Sequence, residues 1–140
     1  EAPPKELVDG FFATGDVGRF DEDDFLYVLD RKKDMIIAGG VNIYPAEIED
    51  ALRKHPAVLD AAAFGIPHAE WGEEVKAVVE CVDGQSVSEA ELHAFLGDQL
   101  AGYKRPRAID VLREIPRNPA GKILKNQLRA PYWAGTGKRI

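Results

Sequence analysis

The alternation of apolar and polar residues first predicts a β-hairpin followed by a helix. Residues 35–37 form a β-type run, and residues 42–44 can return as the second strand. Gly39 and Gly40 between them permit a tight reversal, because glycine adopts positive φ without steric strain. A helix is predicted over residues 45–54, where apolar residues recur at helical spacing and proline occupies the first turn.

The rest of the chain continues with short strands and helices. Ser88, with Glu91 three residues later, forms a capping box that starts a helix ending at Gly102. The other predicted elements are a buried strand at 58–66, a loop at 67–73, a strand at 75–82, a strand at 108–112 and a helix at 123–129. The order α, β, β, α, β predicts an α+β fold, with a small three-stranded sheet flanked by helices and preceded by β-hairpins.

An earlier β-hairpin is predicted over residues 8–30. Its strands are expected at 11–14 and 25–29, and its turns at Gly15, at Gly18 and in the acidic run at 21–24. An isolated hairpin is marginally stable in water, so this one is expected to lean on a larger body. Without that body its aromatic residues form an exposed apolar patch. In the isolated chain we therefore expect residues 8–29 to be disordered or to self-associate.

Composition and charge exclude some classes of function. Lys plus Arg number 18 against 24 Asp plus Glu, and the resulting net charge of −6 argues against a nucleic-acid-binding surface. The single cysteine, Cys81, cannot form an intrachain disulfide and fits a reduced, cytoplasmic setting. No apolar run is long enough for a transmembrane segment. His55, His68 and His93 lack the spacing of a metal site, so no metal-binding residue is predicted.

Three motifs occur in a fixed order along the chain. They are Thr14-Gly15-Asp16, the segment DRKKDMIIAGGVNIYPAEIE over residues 30–49, and PRNPAGK over residues 116–122. Together they resemble the C-terminal part of the AMP-forming acyl-CoA synthetases, and they are similar above all to fatty-acid and other carboxylic-acid CoA ligases. The resemblance implies four parts: a terminal β segment of an absent large nucleotide- and acyl-binding domain at 1–31, a hinge at 32–34, a mobile lid domain at 35–130 and a flexible tail at 131–140.

The resemblance also assigns roles in the activation of the acid. It makes Lys122 the catalytic lid lysine, a cation that stabilises the negative charge developing at the α-phosphate of ATP. It places Asp16 on the ribose hydroxyls of the nucleotide, Arg31 on the ribose or phosphates, and Lys33 at the hinge itself. Taken alone, Lys122 and Lys33 fit ordinary surface lysines. Asp16 alone fits a turn aspartate, and Arg31 alone fits a surface ion pair. The agreement of the three motifs favours the functional interpretation.

For the second half of the reaction, the resemblance points to a CoA channel. Small residues at Gly39 and Gly40 would leave room for the pantetheine arm, and Lys104 or Arg105 would meet CoA phosphates. ATP and CoA are the implied cofactors. The phosphate-binding loop, the acyl pocket and the Mg2+ site of the family are absent from this sequence and are expected in a domain upstream of Glu1.

The implied function is that of a lid in an acid–CoA ligase. Such an enzyme activates a carboxylic acid, here a fatty acid, with ATP to an acyl-adenylate and transfers it to CoA, releasing AMP and pyrophosphate. This chain alone is expected to be inactive. Two alternatives stay open: the lid of a carrier-protein-loading adenylation domain, which the hinge segment resembles less, and a free-standing non-catalytic interaction module.

Overall fold

The structure, a computed structural model, describes residues 34–136 together with the backbone of two earlier strands. These strands, β1 (Asp16–Phe20) and β2 (Leu26–Arg31), pair antiparallel, with an irregularity between Val17 and Gly18. The predicted hairpin is thus confirmed in this part, but Gly18 lies at a β-bulge within a strand and not in a turn. The strand predicted at 11–14 lies outside the described residues.

A five-stranded sheet forms the centre of the structure. Its strands are β3 (Ile36–Ala38), β4 (Val41–Ile43), β5 (Val58–His68), β6 (Gly72–Cys81) and β7 (Ala108–Leu112). Strand β6 pairs antiparallel with β5 along its length and parallel with β7, and the β3–β4 hairpin joins it through Ala38 opposite Gly72. The predicted three-stranded sheet is therefore confirmed, and the glycine hairpin extends it.

Helices cover both faces of this sheet. They are α1 (Pro45–Arg53), α2 (Glu89–Gly97) and α3 (Lys125–Trp133). Side chains of α1 and α2 share the larger core with one set of alternating strand residues, such as Ala61 and Ala63. The opposite set, including Phe64, packs with Leu128 of α3. Within the described part of the chain, no helix is both long and apolar enough to cross a membrane.

The helix predicted at Ser88 begins as expected, but its end differs. The Ser88 hydroxyl accepts a hydrogen bond of 3.1 Å from the Glu91 amide, which confirms the N-cap. The helix ends at Gly97, and Gly102 instead begins a short 3-10 turn, Gly102–Lys104. Leu100 stays buried between the two, so the apolar pattern continued past the end of the helix.

The loop predicted at 67–73 is wrong over most of its length. Pro67 lies in β5 opposite Glu73 of β6, so only residues 69–71 connect the two strands. Proline cannot donate a ladder hydrogen bond, but it is tolerated here because β5 is an edge strand of the sheet.

The last helix extends beyond the expected end of the folded lid at residue 130. Helix α3 includes Pro131 and ends at Trp133, whose side chain is only 7% exposed. The Trp133 indole donates a hydrogen bond of 2.9 Å to the carbonyl of Gly65 in β5. This tertiary contact holds the last turn against the sheet in spite of the proline. Residues 137–140 lie outside the described part.

Asp60 of β5 joins three segments through its carboxylate. Arg53 of α1 donates to it at 2.9 Å and Arg117 at 2.7 Å, and the Ala61 amide donates at 2.8 Å. Burial alone would raise the pKa of Asp60, but these hydrogen bonds and the two guanidinium charges outweigh it and hold the pKa below its ordinary value. Asp60 thereby ties α1 and the segment before α3 to the sheet.

Replacement of Trp133 should show how much the last helix depends on its contact with β5. Trp133→Phe keeps an aromatic ring but leaves the Gly65 carbonyl without its indole donor, so the free energy of unfolding should fall by about 1–3 kcal/mol. Chemical denaturation measures this loss. Tyr103→Phe is the matched control, since Tyr103 is 58% exposed. Equal stability of Trp133→Phe and wild type would show that the contact does not hold α3.

The lowered pKa of Asp60 predicts a specific loss of stability in acid. The ionised carboxylate stabilises the folded state fully above about pH 4, and this contribution is lost as the pH falls through the folded-state pKa. Asp60→Asn should therefore be less stable than wild type at pH 7, and the difference should shrink on acidification. Asp50→Asn, at a more exposed partner of Arg53, is the control. A constant difference between pH 7 and the acid limit would contradict the assignment.

Candidate functional site

The segment that carries Lys122 is a small, tightly paired loop between β7 and α3. Arg117 and Ile123 form an antiparallel bridge. The Leu124 amide donates to the Pro116 carbonyl at 3.0 Å. Both arms of the loop are therefore hydrogen-bonded to each other.

Asn118 fixes the tip of this loop. Its backbone carbonyl accepts from the Gly121 amide at 2.9 Å, which closes a β-turn with proline at the second position. Its side-chain oxygen accepts from the Ala120 and Lys122 amides, both at 2.9 Å. Gly121 adopts φ 85°, a conformation that favours glycine. The Lys122 backbone is thus held from two sides, while its exposed ammonium has no ion-pair partner among the described residues.

Lys122 lines a polar cleft of about 820 Å³. The cleft also contains Asp34, the residue that follows the expected hinge position. Its other charged and amide residues are Glu49, Arg53, Asp60, Asn118, Lys125, Asn126 and Gln127. The fold therefore brings the predicted catalytic lysine and the lid side of the predicted hinge to one cavity.

Asp34 itself is attached to the last helix. Arg129 of α3 reaches its carboxylate at 3.5 Å and also donates to the Asn126 side chain. The side chains of Asp34 and Arg129 are only 14% and 8% exposed, and Arg129 Nε is buried without a hydrogen-bond partner in the described structure. This contact was not predicted, because nothing in the local pattern at either position indicates the other.

A second cleft lies beside the glycine hairpin. Gly39 and Gly40 form its turn, with φ of 59° and 81°, and the Gly39 amide donates to the Trp71 carbonyl at 2.9 Å. The half-exposed Trp71 stacks on His68 with ring centroids 4.2 Å apart, and the Arg107 guanidinium lies 4.8 Å from the indole. Trp71 is not among the site residues predicted from the sequence, although a tryptophan next to a glycine in a polar loop is a pattern that could have indicated it.

This cleft, of about 200 Å³, is mostly apolar with two cations at its rim. Gly39, Trp71 and Tyr103 line it together with Arg105 and Arg107. Lys104 does not line it. Its ammonium contacts both carboxylate oxygens of Glu47 at 3.0 Å, and this hydrogen bonding raises the pKa of Lys104 above its usual range. The two clefts have no lining residue in common.

The remaining predicted site residues lie in or beside the first hairpin. Asp16 and Arg31 are backbone partners across β1 and β2, so the structure places the two predicted nucleotide-binding residues opposite each other. Their side chains and Lys33 lie outside what is described. Within the described residues, no three His, Cys, Asp or Glu side chains are grouped as metal ligands.

Comparison with known proteins identifies the family. The AMP-binding enzyme C-terminal domain matches residues 47–122. The fatty acid–[acyl-carrier-protein] ligase ScoC of Streptomyces coeruleorubidus is 45% identical over 134 residues, covering 96% of this chain and 26% of the relative. The long-chain-fatty-acid–CoA ligase FadD13 of Mycobacterium tuberculosis is 45% identical over 138 residues, covering 99% of this chain and 27% of the relative.

A solved structure gives the same result. The o-succinylbenzoate CoA synthetase MenE from Bacillus subtilis, in complex with the acyl-adenylate intermediate OSB-AMP, matches with a TM-score of 0.81 at 44% identity, covering 87% of this chain and 25% of that one. The chain spans only 26% and 27% of the length of the two curated relatives above. It belongs to the AMP-binding enzyme C-terminal domain family and corresponds to the C-terminal part of an AMP-forming acyl-CoA ligase.

Proposed function

We propose that this chain is the mobile lid of a ligase that activates a carboxylic acid with ATP and transfers the acyl group to CoA. The proposal is based on the exposed ammonium of Lys122, which has no ion-pair partner among the described residues and lies on a loop whose backbone is fixed by Asn118. A cation presented in this way needs little reorganisation to meet a developing negative charge. FadD13 and MenE, which resemble the chain, are CoA ligases by name.

In the first half-reaction the acid's carboxylate attacks the α-phosphate of ATP, and pyrophosphate leaves. We assign to Lys122 the stabilisation of the charge that builds on the phosphate oxygens. Asp16 and Arg31 are the proposed contacts to the nucleotide's ribose and phosphates, and their pairing across β1 and β2 supports a common role. The Mg2+ ion that would neutralise the departing phosphates is proposed to bind to the large domain outside this chain.

The proposed hinge is Lys33. Because Asp34 is attached to α3 by Arg129, the rigid part of the lid begins at Asp34, and rotation must be taken up by the residues before it. Within the proposed hinge at 32–34, between a large-domain segment at 1–31 and a lid from 35 onward, this supports rotation at residues 32 and 33, with Asp34 as the end of the hinge that is attached to the lid. The extent of α3 to Trp133 supports a proposed lid that ends at or after this residue and not at residue 130.

In the second half-reaction the cleft beside Gly39 is the proposed channel for CoA. The glycine turn and Trp71 offer a narrow apolar passage for a pantetheine arm, and Arg105 and Arg107 offer positive charge for phosphates. Lys104 is proposed to flank this channel. Its ion pair with Glu47 must break before its ammonium can bind a CoA phosphate. The proposed setting is the cytoplasm.

The acyl acceptor has one specific alternative. ScoC, 45% identical over 96% of this chain, is a ligase of fatty acids to acyl-carrier protein. A carrier protein presents the same pantetheine arm as CoA, and the same glycine-lined passage would serve it. FadD13 and MenE differ in the acid named for them, and the acyl pocket is proposed to lie in the large domain. A fatty acid is therefore proposed on the basis of ScoC and FadD13 alone.

Replacement of Lys122 tests the central assignment in the full-length enzyme. Lys122→Ala should lower the rate of acid-dependent pyrophosphate release by a factor on the order of 10²–10³, since it removes a group that stabilises the transition state. Formation of acyl-CoA from a supplied acyl-adenylate should stay near the wild-type rate, because a different cleft serves that step. Lys54→Ala, at an exposed lysine on the end of α1, is the matched control for both assays.

Two outcomes of this experiment would contradict the proposal. Pyrophosphate release at the wild-type rate in Lys122→Ala would make the lysine a bystander. An equal loss in both half-reactions would instead indicate a general defect in the lid. Thermal denaturation separates the second outcome from misfolding, because an exposed loop lysine should contribute little to stability.

A further inference from the structure

Glu49 of α1 is a buried carboxylate with two partners from different parts of the chain. Its Oε2 atom accepts from the Ala63 amide in β5 at 2.9 Å and lies 2.8 Å from the ammonium of Lys125. The side chains of Glu49 and Lys125 are only 10% and 16% exposed. Burying such a pair removes both charges from water, so the pair by itself is a poor source of stability compared with an apolar contact.

The position of Lys125 gives this pair a consequence for the site. Lys125 is the first residue of α3. Only the two apolar residues Ile123 and Leu124 separate it from Lys122. Glu49 therefore fixes the arm of the loop that leaves Lys122 toward the helix. The opposite arm is fixed by Arg117, which contacts Asp60 at 2.7 Å.

These anchors hold the loop to the body of the lid. Helix α1 carries Glu49, and β5 carries both Asp60 and the Ala63 amide. Between the anchors, Asn118 holds the Lys122 amide, so the Lys122 backbone has a fixed place relative to α1 and β5. Glu49, Lys122 and Lys125 line the same polar cleft.

We propose that Glu49 is a positioning residue for adenylation, acting on Lys122 through its ion pair with Lys125. This inference rests on the proposed function of Lys122. Loss of the pair frees the C-terminal arm of the loop, and a displacement of about 1 Å at a reacting group can cost about 10²-fold in rate. The effect is confined to the half-reaction that uses Lys122.

The experiment uses the full-length enzyme with Glu49→Gln, which keeps a side-chain oxygen for the Ala63 amide while removing the charge. The kcat of pyrophosphate release should fall by about 10- to 100-fold, with little change in the KM for ATP. Acyl-CoA formation from supplied acyl-adenylate should be unchanged. Asp50→Asn breaks a more exposed ion pair on the same helix and should change neither rate.

Lys125 provides the second variant, in case Glu49→Gln folds poorly. Lys125→Gln should reproduce the selective loss, Lys125→Arg should restore most of the rate, and combining Glu49→Gln with Lys125→Gln should be no worse than either alone. In a Lys122→Ala background, Glu49→Gln should add no further loss. Additive effects there would overturn the inference.

The possible failures are distinguishable. If Lys122→Ala leaves pyrophosphate release intact, the proposed function is wrong, whatever Glu49 does. If Lys122→Ala abolishes release but folded Glu49→Gln and Lys125→Gln variants keep the wild-type rate, only the positioning role is wrong. A parallel loss of both half-reactions with a lowered melting temperature would assign Glu49 a purely structural role and also overturn the inference.

Discussion

The long antiparallel pairing of β5 with β6 is the interaction on which both clefts depend. The ladder runs from Val58 opposite Cys81 to His68 opposite Gly72. Near its closed end, Trp71 in the connecting turn meets Gly39 and builds the smaller cleft. Toward the other end, Asp60 and the Ala63 amide hold the segments that carry Lys122. One pair of strands therefore fixes the position of two sites that serve different steps in the proposed reaction.

The polar cleft is built from charges that are costly to bury. Glu49 and Asp60 of the cleft lining lie largely out of solvent, as does Arg129, which contacts the lining residue Asp34. Each is paired with a charge from a distant segment. Such pairs contribute little net stability, but removing one partner leaves an uncompensated charge, so they strongly disfavour other arrangements of the loop. In the proposed function this loop must present the Lys122 cation accurately, and such pairs suit that requirement. Within the described structure, the Asp60 and Glu49 carboxylates pair with other cations, and the Lys122 ammonium has no ion-pair partner.

Much of the fold follows from local patterns. The apolar periodicity of α1, the Ser88 cap of α2 and the Gly39-Gly40 turn each depend on residues close in sequence, and the structure confirms all three. The end of α3 could not be predicted in this way. Its last turn is held by the contact of Trp133 with Gly65, whereas Pro131 in the sequence favours an earlier end of the helix.

The candidate site likewise has features that the local sequence predicts and features that only the tertiary fold creates. Lys122 was predicted from a motif. The turn at Asn118 was also predictable from the sequence, because asparagine and proline followed by glycine favour a tight turn. Two ion pairs could not be predicted from the sequence, because each joins residues that only the tertiary fold brings together. They are Glu49 with Lys125 and Asp34 with Arg129. Trp71 acquires its place beside Gly39 only through the β3–β6 contact.

The central claim is that one lid uses two separate clefts in turn, and covalent footprinting of the full-length enzyme tests it most directly. Mass spectrometry would follow amine labelling of Lys122 and oxidation of Trp71 in the same sample. An unreactive ATP analogue should protect Lys122 and leave Trp71 accessible, and an unreactive acyl-adenylate analogue with CoA should reverse the pattern. Protection of both residues by the same ligand, or of neither by any ligand, would contradict the account.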